Sequence, residues 1–329
     1  MQESLKIALT GGSGHLGSEI VRQLLQRGHT VKALIHHDRK ALDGLDIELV
    51  KGSLQDIESL KELVKGCDIL IHSAALISIS GAQGGAVNKT NVEGVKHLYD
   101  AATAEGIKKI IHISSIHAFQ QTPTLEMLNE ESPWVDDSAF AYDVSKRRGQ
   151  ELALSYIDKG MEVVVLNPTS IIGPPDHKPS LQGKAIIDIY KGKVPAVFDG
   201  GFDFVDNRDV ATAVINAINK GRSGENYLLA GKWISMYDMM RLVNLATGKH
   251  RKAVRLPFWF GFAIEPFFRF WGWITRTEPL FTKESLEILR IGNRNISSEK
   301  AKRELNFNPR PLEEAFSDSF SWFKTNGYL

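Results

Sequence analysis

The chain has 329 residues, 43% of them apolar and 24% charged, and a net charge of +1. These values are those of a globular chain rather than a disordered or fibrous one, nothing in them suggests a nucleic-acid surface, and no block of like charge reads as a tail. The single cysteine, Cys67, cannot form an intramolecular disulfide, so a reducing, cytoplasmic setting is expected.

The start, MQESLKIALT (1–10), lacks the basic segment and long apolar core of an export signal. LKIALT (5–10) reads as an apolar strand, LGSEIVRQLLQRG (16–28) as a helix, and TVKALIH (30–36) and IELV (47–50) as strands. DIESLKELVKG (56–66) has helical spacing and a closing Gly, DILIHSAA (68–75) is a strand, and VNKTNVEGVKHLYDAATAEG (87–106) is a long helix. KKIIHISS (108–115), AFAYDVSKRRGQELALSYIDKG (139–160) and MEVVVLNP (161–168) follow as strand, helix and strand. Near-continuous apolar strands alternating with amphipathic helices predict an α/β fold, a doubly wound parallel sheet covered on both faces.

After residue 168 the rhythm breaks and Pro and Gly become frequent. Two units are expected: residues 1–168, carrying the sheet, and residues 169–329, mainly a smaller α/β cap that binds substrate. A segment near 202–221 should return to the core sheet, while ENYLLAG (225–231) and SMYDMMRLVNLATG (235–248) read as cap elements. LPFWFGFAIEPFFRFWGWIT (256–275) is nearly long enough to span a bilayer, but Glu265, Pro266 and Arg269 interrupt it. The reading preferred here is a helical pair lining a pocket, not a membrane-touching helix. Its nine aromatics are Phe258, Trp259, Phe260, Phe262, Phe267, Phe268, Phe270, Trp271 and Trp273. They are either cap core or a wall for a flat, greasy substrate.

ALTGGSGHLGSEI (8–20) places Gly11, Gly14 and Gly17 between the first strand and the first helix. Gly permits the tight turn and lets backbone N–H groups approach a pyrophosphate, while the helix N-terminus supplies orphan donors. The strand–loop–helix context makes dinucleotide binding the expectation. In AFAYDVSKRRGQ (139–150), Tyr142 and Lys146 stand at i and i+4, on one face of a helix. A phenol is a neutral acid at working pH, and an ammonium beside it should lower its pKa and ease proton transfer. No His/Cys/Asp cluster has metal spacing, so no metal is expected.

TGGSGHLG resembles the T-G-x-x-G-x-x-G loop of the extended short-chain dehydrogenase/reductase superfamily. ILIHSAA (69–75), NVEGVKHLYDAA (91–102), IIHISSIHAF (110–119), YDVSK (142–146), LNPTSIIGP (166–174), FVDNRDVATAV (204–214) and the closing KAKRELNFNPRPLEEAFSDSFSWF (300–323) match that superfamily in order. The resemblance implies a Rossmann fold and a nicotinamide cofactor. It implies cofactor contacts at Thr10, Gly11, Gly14, His15, Leu16 and Gly17, at Ser73, Ala74 and Ala75, and at Pro168 and Thr169. It implies Tyr142 as general acid/base, and Lys146 as the group that lowers its pKa and holds the nicotinamide ribose. Ser115, second in the HISS pair, is the implied hydroxyl on the substrate oxygen, with Ser114 staying in the strand. Asn91 would hold the active-site strands. His72, His112 and His117 read as packed or hydrogen-bonded rather than ligating.

At the end of the second strand, Ile35 stands where NAD users carry Asp, and His36, Arg39 and Lys40 follow. This tilts the expectation toward NADP over NAD, with Asp38 keeping NAD open. VKGSLQD (50–56) has Ser53 where the family usually has Asp, so adenine recognition should rest on Ser53, backbone groups and Leu54. Two enzyme readings compete. One is a carbonyl–alcohol oxidoreductase, similar to dihydroflavonol reductases, cinnamoyl-CoA reductases and 3β-hydroxysteroid dehydrogenases. The other is a sugar-nucleotide epimerase or dehydratase. The aromatic stretch, and Asn167 in place of the usual Arg, favour an apolar small-molecule substrate. A dinucleotide-sensing protein without turnover is the third reading. A homodimer through the two sheet-flanking helices that include 139–160 is the expected assembly.

Overall fold

The computed structural model describes residues 4–36, 38–275 and 281–329, with the backbone alone for 268–275. The first half alternates as expected: β1 (Lys6–Thr10), α1 (His15–Gln26), β2 (Thr30–Ile35), β3 (Glu48–Lys51), α2 (Ile57–Val64) and β4 (Ile69–His72). A short helix α3 (Ala86–Asn88) runs through a π-turn (Lys89–Glu93) into α4 (Gly94–Glu105). Then come β5 (Lys109–Ile113), α5 (Ala141–Ser155) and β6 (Glu162–Pro168). The strands form one seven-stranded parallel sheet in the order β10-β6-β5-β4-β1-β2-β3, where β10 is Asn226–Leu229.

Period-two alternation explains why these strands read as unbroken apolar runs. Ile7, Leu9, Val164 and Leu166 face a layer made by α1, by α7 (Asn207–Lys220) and by α11 (Glu299–Leu305). Ala8, Leu70, Val163 and Val165 face the opposite layer of α2, α4 and α5. Both faces are buried, so every residue of a central strand must be apolar or find a polar partner.

The chain then leaves the sheet. β7 (Ser170–Ile172), β9 (Gly201–Asp206) and β11 (Lys232–Ser235) make a three-stranded sheet, and β8 (Ala196–Phe198) pairs with β12 (Val254–Leu256). α6 (Leu181–Lys191), α8 (Met236–Thr247) and α12 (Leu312–Thr325) close a separate apolar core around Phe204, Met239, Phe316 and Phe323. α9 (Phe258–Thr275) and α10 (Lys283–Ile291) complete the elements.

Two details differ from the sequence reading. The segment 202–221 reaches the main sheet only through α7, which packs on its face beside α1, while β9 lies in the small sheet. The strand that returns is β10, because α7 supplies the helical crossover that a parallel neighbour of β6 requires. Likewise 256–275 forms one helix running through Pro266, not a pair. No helix of the described residues is long and apolar enough to cross a membrane.

Candidate active site

The glycine loop is packed without room for side chains. A Cβ on Gly17 would sit 2.0 Å from the Gly11 carbonyl oxygen, and one on Gly11, whose φ is +76°, would sit 2.7 Å from the Ala74 nitrogen. Gly14 caps α1 with no side-chain hydrogen bond, leaving the first-turn N–H groups free of a side-chain cap. Leu16 buries its side chain in the sheet core, so only its backbone can face a ligand. His15 Nε2 lies 2.6 Å from the Gly173 carbonyl. Thr10 Oγ1 receives the Ala74 N–H at 3.4 Å and contacts His72 Nδ1 at 2.7 Å, while the Ser73 N–H reaches the Thr10 carbonyl. Bare backbone and a helix start therefore meet the ends of β1 and β4, which suits a dinucleotide pyrophosphate.

The expected adenosine end lies past β2. His36 and Arg39 are exposed, and the Arg39 guanidinium lies 3.5 Å from Asp43. Asp38 uses its carboxylate on the Lys40 N–H at 2.9 Å. Ser53 Oγ accepts the Gln55 N–H, and Leu54 is buried against Gly94.

Ser115, Tyr142 and Lys146 are all buried, Tyr142 and Lys146 one turn apart on α5 and Ser115 just past β5. Tyr142 is hydrogen-bonded to Ser115, and Ser115 Oγ also accepts the His117 N–H at 3.2 Å. Lys146 Nζ donates to the Ile113 carbonyl at 3.1 Å. The electrostatics depart from the sequence expectation. Burial pushes the Tyr142 phenol up, the Ser115 hydrogen bond opposes this, and the Asp143 charge reinforces it. Burial lowers Lys146 to about 8, and its ammonium is turned to a carbonyl. Desolvation of the phenolate outweighs any help from the neighbouring ammonium.

Beneath Lys146 lies a polar row across the sheet. Thr10, His72 and His112 are register neighbours on β1, β4 and β5. His112 Nδ1 is 2.7 Å from the Tyr99 hydroxyl, and the two imidazoles stand 5.4 Å apart. Burial takes His72 down to about 3 and His112 well below the ordinary imidazole range, with the Lys146 charge adding to both. Asn91 Oδ1 accepts the Leu76 N–H at 2.8 Å, and its Nδ2 donates to Ser145 Oγ at 3.0 Å. It clamps the β4 exit to α5, as the resemblance implies. Ser114 Oγ and both side-chain atoms of Asn167 are buried without a partner among the described residues. Cys67 is buried and its thiol is pushed up to about 11, so it is no nucleophile. No group of metal-ligating side chains occurs among the described residues.

Above α5 a narrow cleft opens between the sheet and the cap. Ile116, Phe202, Ile288, Ile291 and Ile296 give it an apolar lining, and Thr169 and Asp203 stand on it. Asp203 Oδ1 accepts both Thr169 Oγ1 at 2.7 Å and the Gly231 N–H at 2.8 Å, and burial raises its carboxyl to about 6. Asp143 and His117 line the same cleft, 2.9 Å apart. The lining contains two carboxylates and no Lys or Arg among the described residues. None of the described aromatics of 258–267 lines it. Phe258 stacks on Phe198, and Trp259 and Phe267 are exposed. Of the two readings, the aromatic wall finds no support in the described lining, and the side chains of Phe268, Phe270, Trp271 and Trp273 lie outside the described residues. Sequence reasoning missed Asp203 and the His117–Asp143 pair. The only linear trace of that pair is His117 two residues after Ser115 and Asp143 one after Tyr142.

Comparison with known proteins supports the same layout. A model of the "NAD dependent epimerase/dehydratase family" matches residues 7–230. Sterol demethylase protein B of Methylococcus capsulatus is 33% identical over 98% of this chain and 99% of its own. Cinnamoyl-CoA reductase 1 of Arabidopsis thaliana is 30% identical over 68% of this chain and 70% of its own. The crystal structure of gox2253 superposes with a TM-score of 0.86 at 32% identity, covering 99% of this chain and 100% of that one. The matched residues hold the glycine loop, the Ser115–Tyr142–Lys146 group and the whole parallel sheet, so the chain belongs to the NAD-dependent epimerase/dehydratase family, the extended short-chain dehydrogenases/reductases, for which an NAD(P) cofactor is typical.

Proposed function

We propose that this protein is an NAD(P)-dependent oxidoreductase that interconverts a carbonyl and an alcohol on a small apolar molecule, with Tyr142 as general acid/base. One observation carries the reading: Ile116, His117 and Asp143, the chain neighbours of the hydrogen-bonded Ser115–Tyr142 pair, line a cleft that is apolar and acidic, with no Lys or Arg among the described residues. A sugar-nucleotide diphosphate would meet Asp143 and Asp203 there with no cation to balance it, so an uncharged substrate is favoured.

The dinucleotide would be held by the backbone of Gly11, Gly14, His15, Leu16 and Gly17, by Thr10, by Ser53 and Leu54 at the adenine, and by Ser73–Ala75. Tyr142, Lys146, Pro168 and Thr169 would border the nicotinamide. The bound cofactor supplies or takes the hydride. Ser115 Oγ positions the substrate oxygen. Tyr142, kept protonated by burial, delivers a proton to that oxygen as negative charge grows on it. The apolar lining excludes water from the developing charge. His36 and Arg39, exposed past β2, favour NADP over NAD, since Asp38 is engaged by its own turn. The homodimer through the α5 face belongs to the same proposal.

The test is NADPH oxidation followed by absorbance with cyclohexanone and cinnamaldehyde, beside UDP-glucose assayed for epimerisation. Turnover of the carbonyl compounds, with NADPH bound more tightly than NADH, is expected. Epimerisation of the nucleotide sugar on a retained NAD would overturn the reading.

A further inference from the structure

The cleft holds one polar pair that proton delivery by Tyr142 does not require. His117 Nδ1 stands 2.9 Å from Asp143 Oδ1. An ionised carboxylate only accepts hydrogen bonds, so Nδ1 is the nitrogen that donates to Asp143, and the tautomer that does so carries its lone pair on Nε2. Asp143 is nearly buried, whereas the His117 side chain is 27% exposed, on the cleft that both residues line. Its Nε2 has no partner among the described residues. The ring is also fixed relative to the reacting group. The His117 N–H donates to Ser115 Oγ at 3.2 Å, and the imidazole stands edge-on to the Tyr142 ring, centroids 5.5 Å apart.

A histidine that serves packing alone closes its polar atoms inside the fold. This one is oriented by a carboxylate and lines a largely apolar space two residues from Ser115, with its second ring nitrogen unpartnered among the described residues. Such an acceptor recognises a donor. A carboxylate ligand would be repelled by Asp143 and Asp203 on the same lining.

We propose that His117 is a substrate-binding residue whose Nε2 accepts a hydrogen bond from a second hydroxyl of the substrate, close to the reacting carbon. The inference rests on the carbonyl–alcohol reading and narrows its substrate class to an apolar hydroxyketone, or a diol in the oxidative direction. Ile116, Phe202 and Ile288 would cover the apolar body, while Ser115 and His117, two residues apart, take the two oxygens.

Matched substrates test it. The ratio of kcat/KM for 2-hydroxycyclohexanone to that for cyclohexanone is measured with NADPH in the native protein, in His117→Phe and in His117→Gln. The ratio is the readout, so a general loss of activity cancels. The native protein should favour the hydroxyketone by about tenfold, the worth of one good hydrogen bond, chiefly through KM. His117→Phe should bring the ratio near one, and His117→Gln, which keeps an acceptor, should restore part of it. Equal ratios in the native protein and His117→Phe overturn the inference and leave the oxidoreductase reading standing. Turnover of neither ketone by NADPH-loaded protein overturns that reading and the inference with it. Nitrogen NMR of the imidazole gives a readout independent of turnover. The Nδ1–H tautomer should be seen, with Nε2 shifting on addition of the hydroxyketone but not of the plain ketone. An unmoved Nε2 overturns the inference.

Discussion

Histidines on the two sides of α5 have opposite surroundings. Beneath the helix, His72 and His112 each hold a hydroxyl partner, Thr10 and Tyr99, and burial keeps both rings neutral. Above it, His117 lines the cleft with one nitrogen on Asp143 and the other unpartnered among the described residues. The residue type is the same, so the surroundings decide the role. A polar side chain whose partners all lie inside the sheet stabilises the scaffold. One that keeps an open atom beside a cavity is available to a ligand.

The sharpest way to break this contrast is at the acid. Tyr142→Phe should lose at least about a hundredfold in turnover while binding NADPH normally, the usual scale of general acid catalysis. Near-native turnover would move the proton source to the buried imidazole row and erase the distinction.

Next comes the pH profile. Lys146 titrates near 8 and is charged below that value. NADPH affinity should therefore fall as pH rises through about 8, up to about tenfold per unit. A profile flat to pH 10 would show that the ammonium takes no part in holding the cofactor.

Asp203 sharpens the cleft side. Its folded pKa, about 6, lies above the model-peptide value for Asp of about 3.9. The fold favours the protonated carboxyl, so that contribution is fully present below about pH 4 and is lost as pH rises through 6. Against Asp203→Asn, the native protein should lose about 2–3 kcal/mol of stability between pH 4 and 7, measured by denaturant melts. Parallel curves for the two proteins would refute this.

The smallest effect belongs to the sealed side. His112→Phe leaves the buried Tyr99 hydroxyl without its partner and should cost about 1–2 kcal/mol of stability. The pH dependence of turnover should not move. A shifted profile would mean that the row beneath α5 exchanges protons with the site.

Much of this was legible in the chain itself. Strands buried on both faces announce themselves as apolar runs, and the glycine loop and the Tyr142–Lys146 spacing obey local geometry. What depends on distant packing was not legible. NYLL (226–229) has the same pattern in a small sheet or a large one, and only α7 decides which strand it meets. Spacing brings Lys146 to the face of Tyr142, yet the phenol's shift is set by burial, which spacing cannot report. Pro266 reads as a break between two helices but sits inside one. His117 and Asp143 are 26 residues apart and meet only because the β5 exit and the start of α5 converge on Ser115.

The return of β10 to the edge of the main sheet has a consequence for how this protein is made. Tyr227, Leu228 and Leu229 are fully buried there, and β10 covers the hydrogen-bonding edge of β6. A chain ending at residue 168 would present that edge bare, with Val163 and Val165 beside it, ready to pair with another copy. The parallel sheet gains its last strand only once residue 229 has left the ribosome, so residues 1–168 alone lack the strand that covers β6.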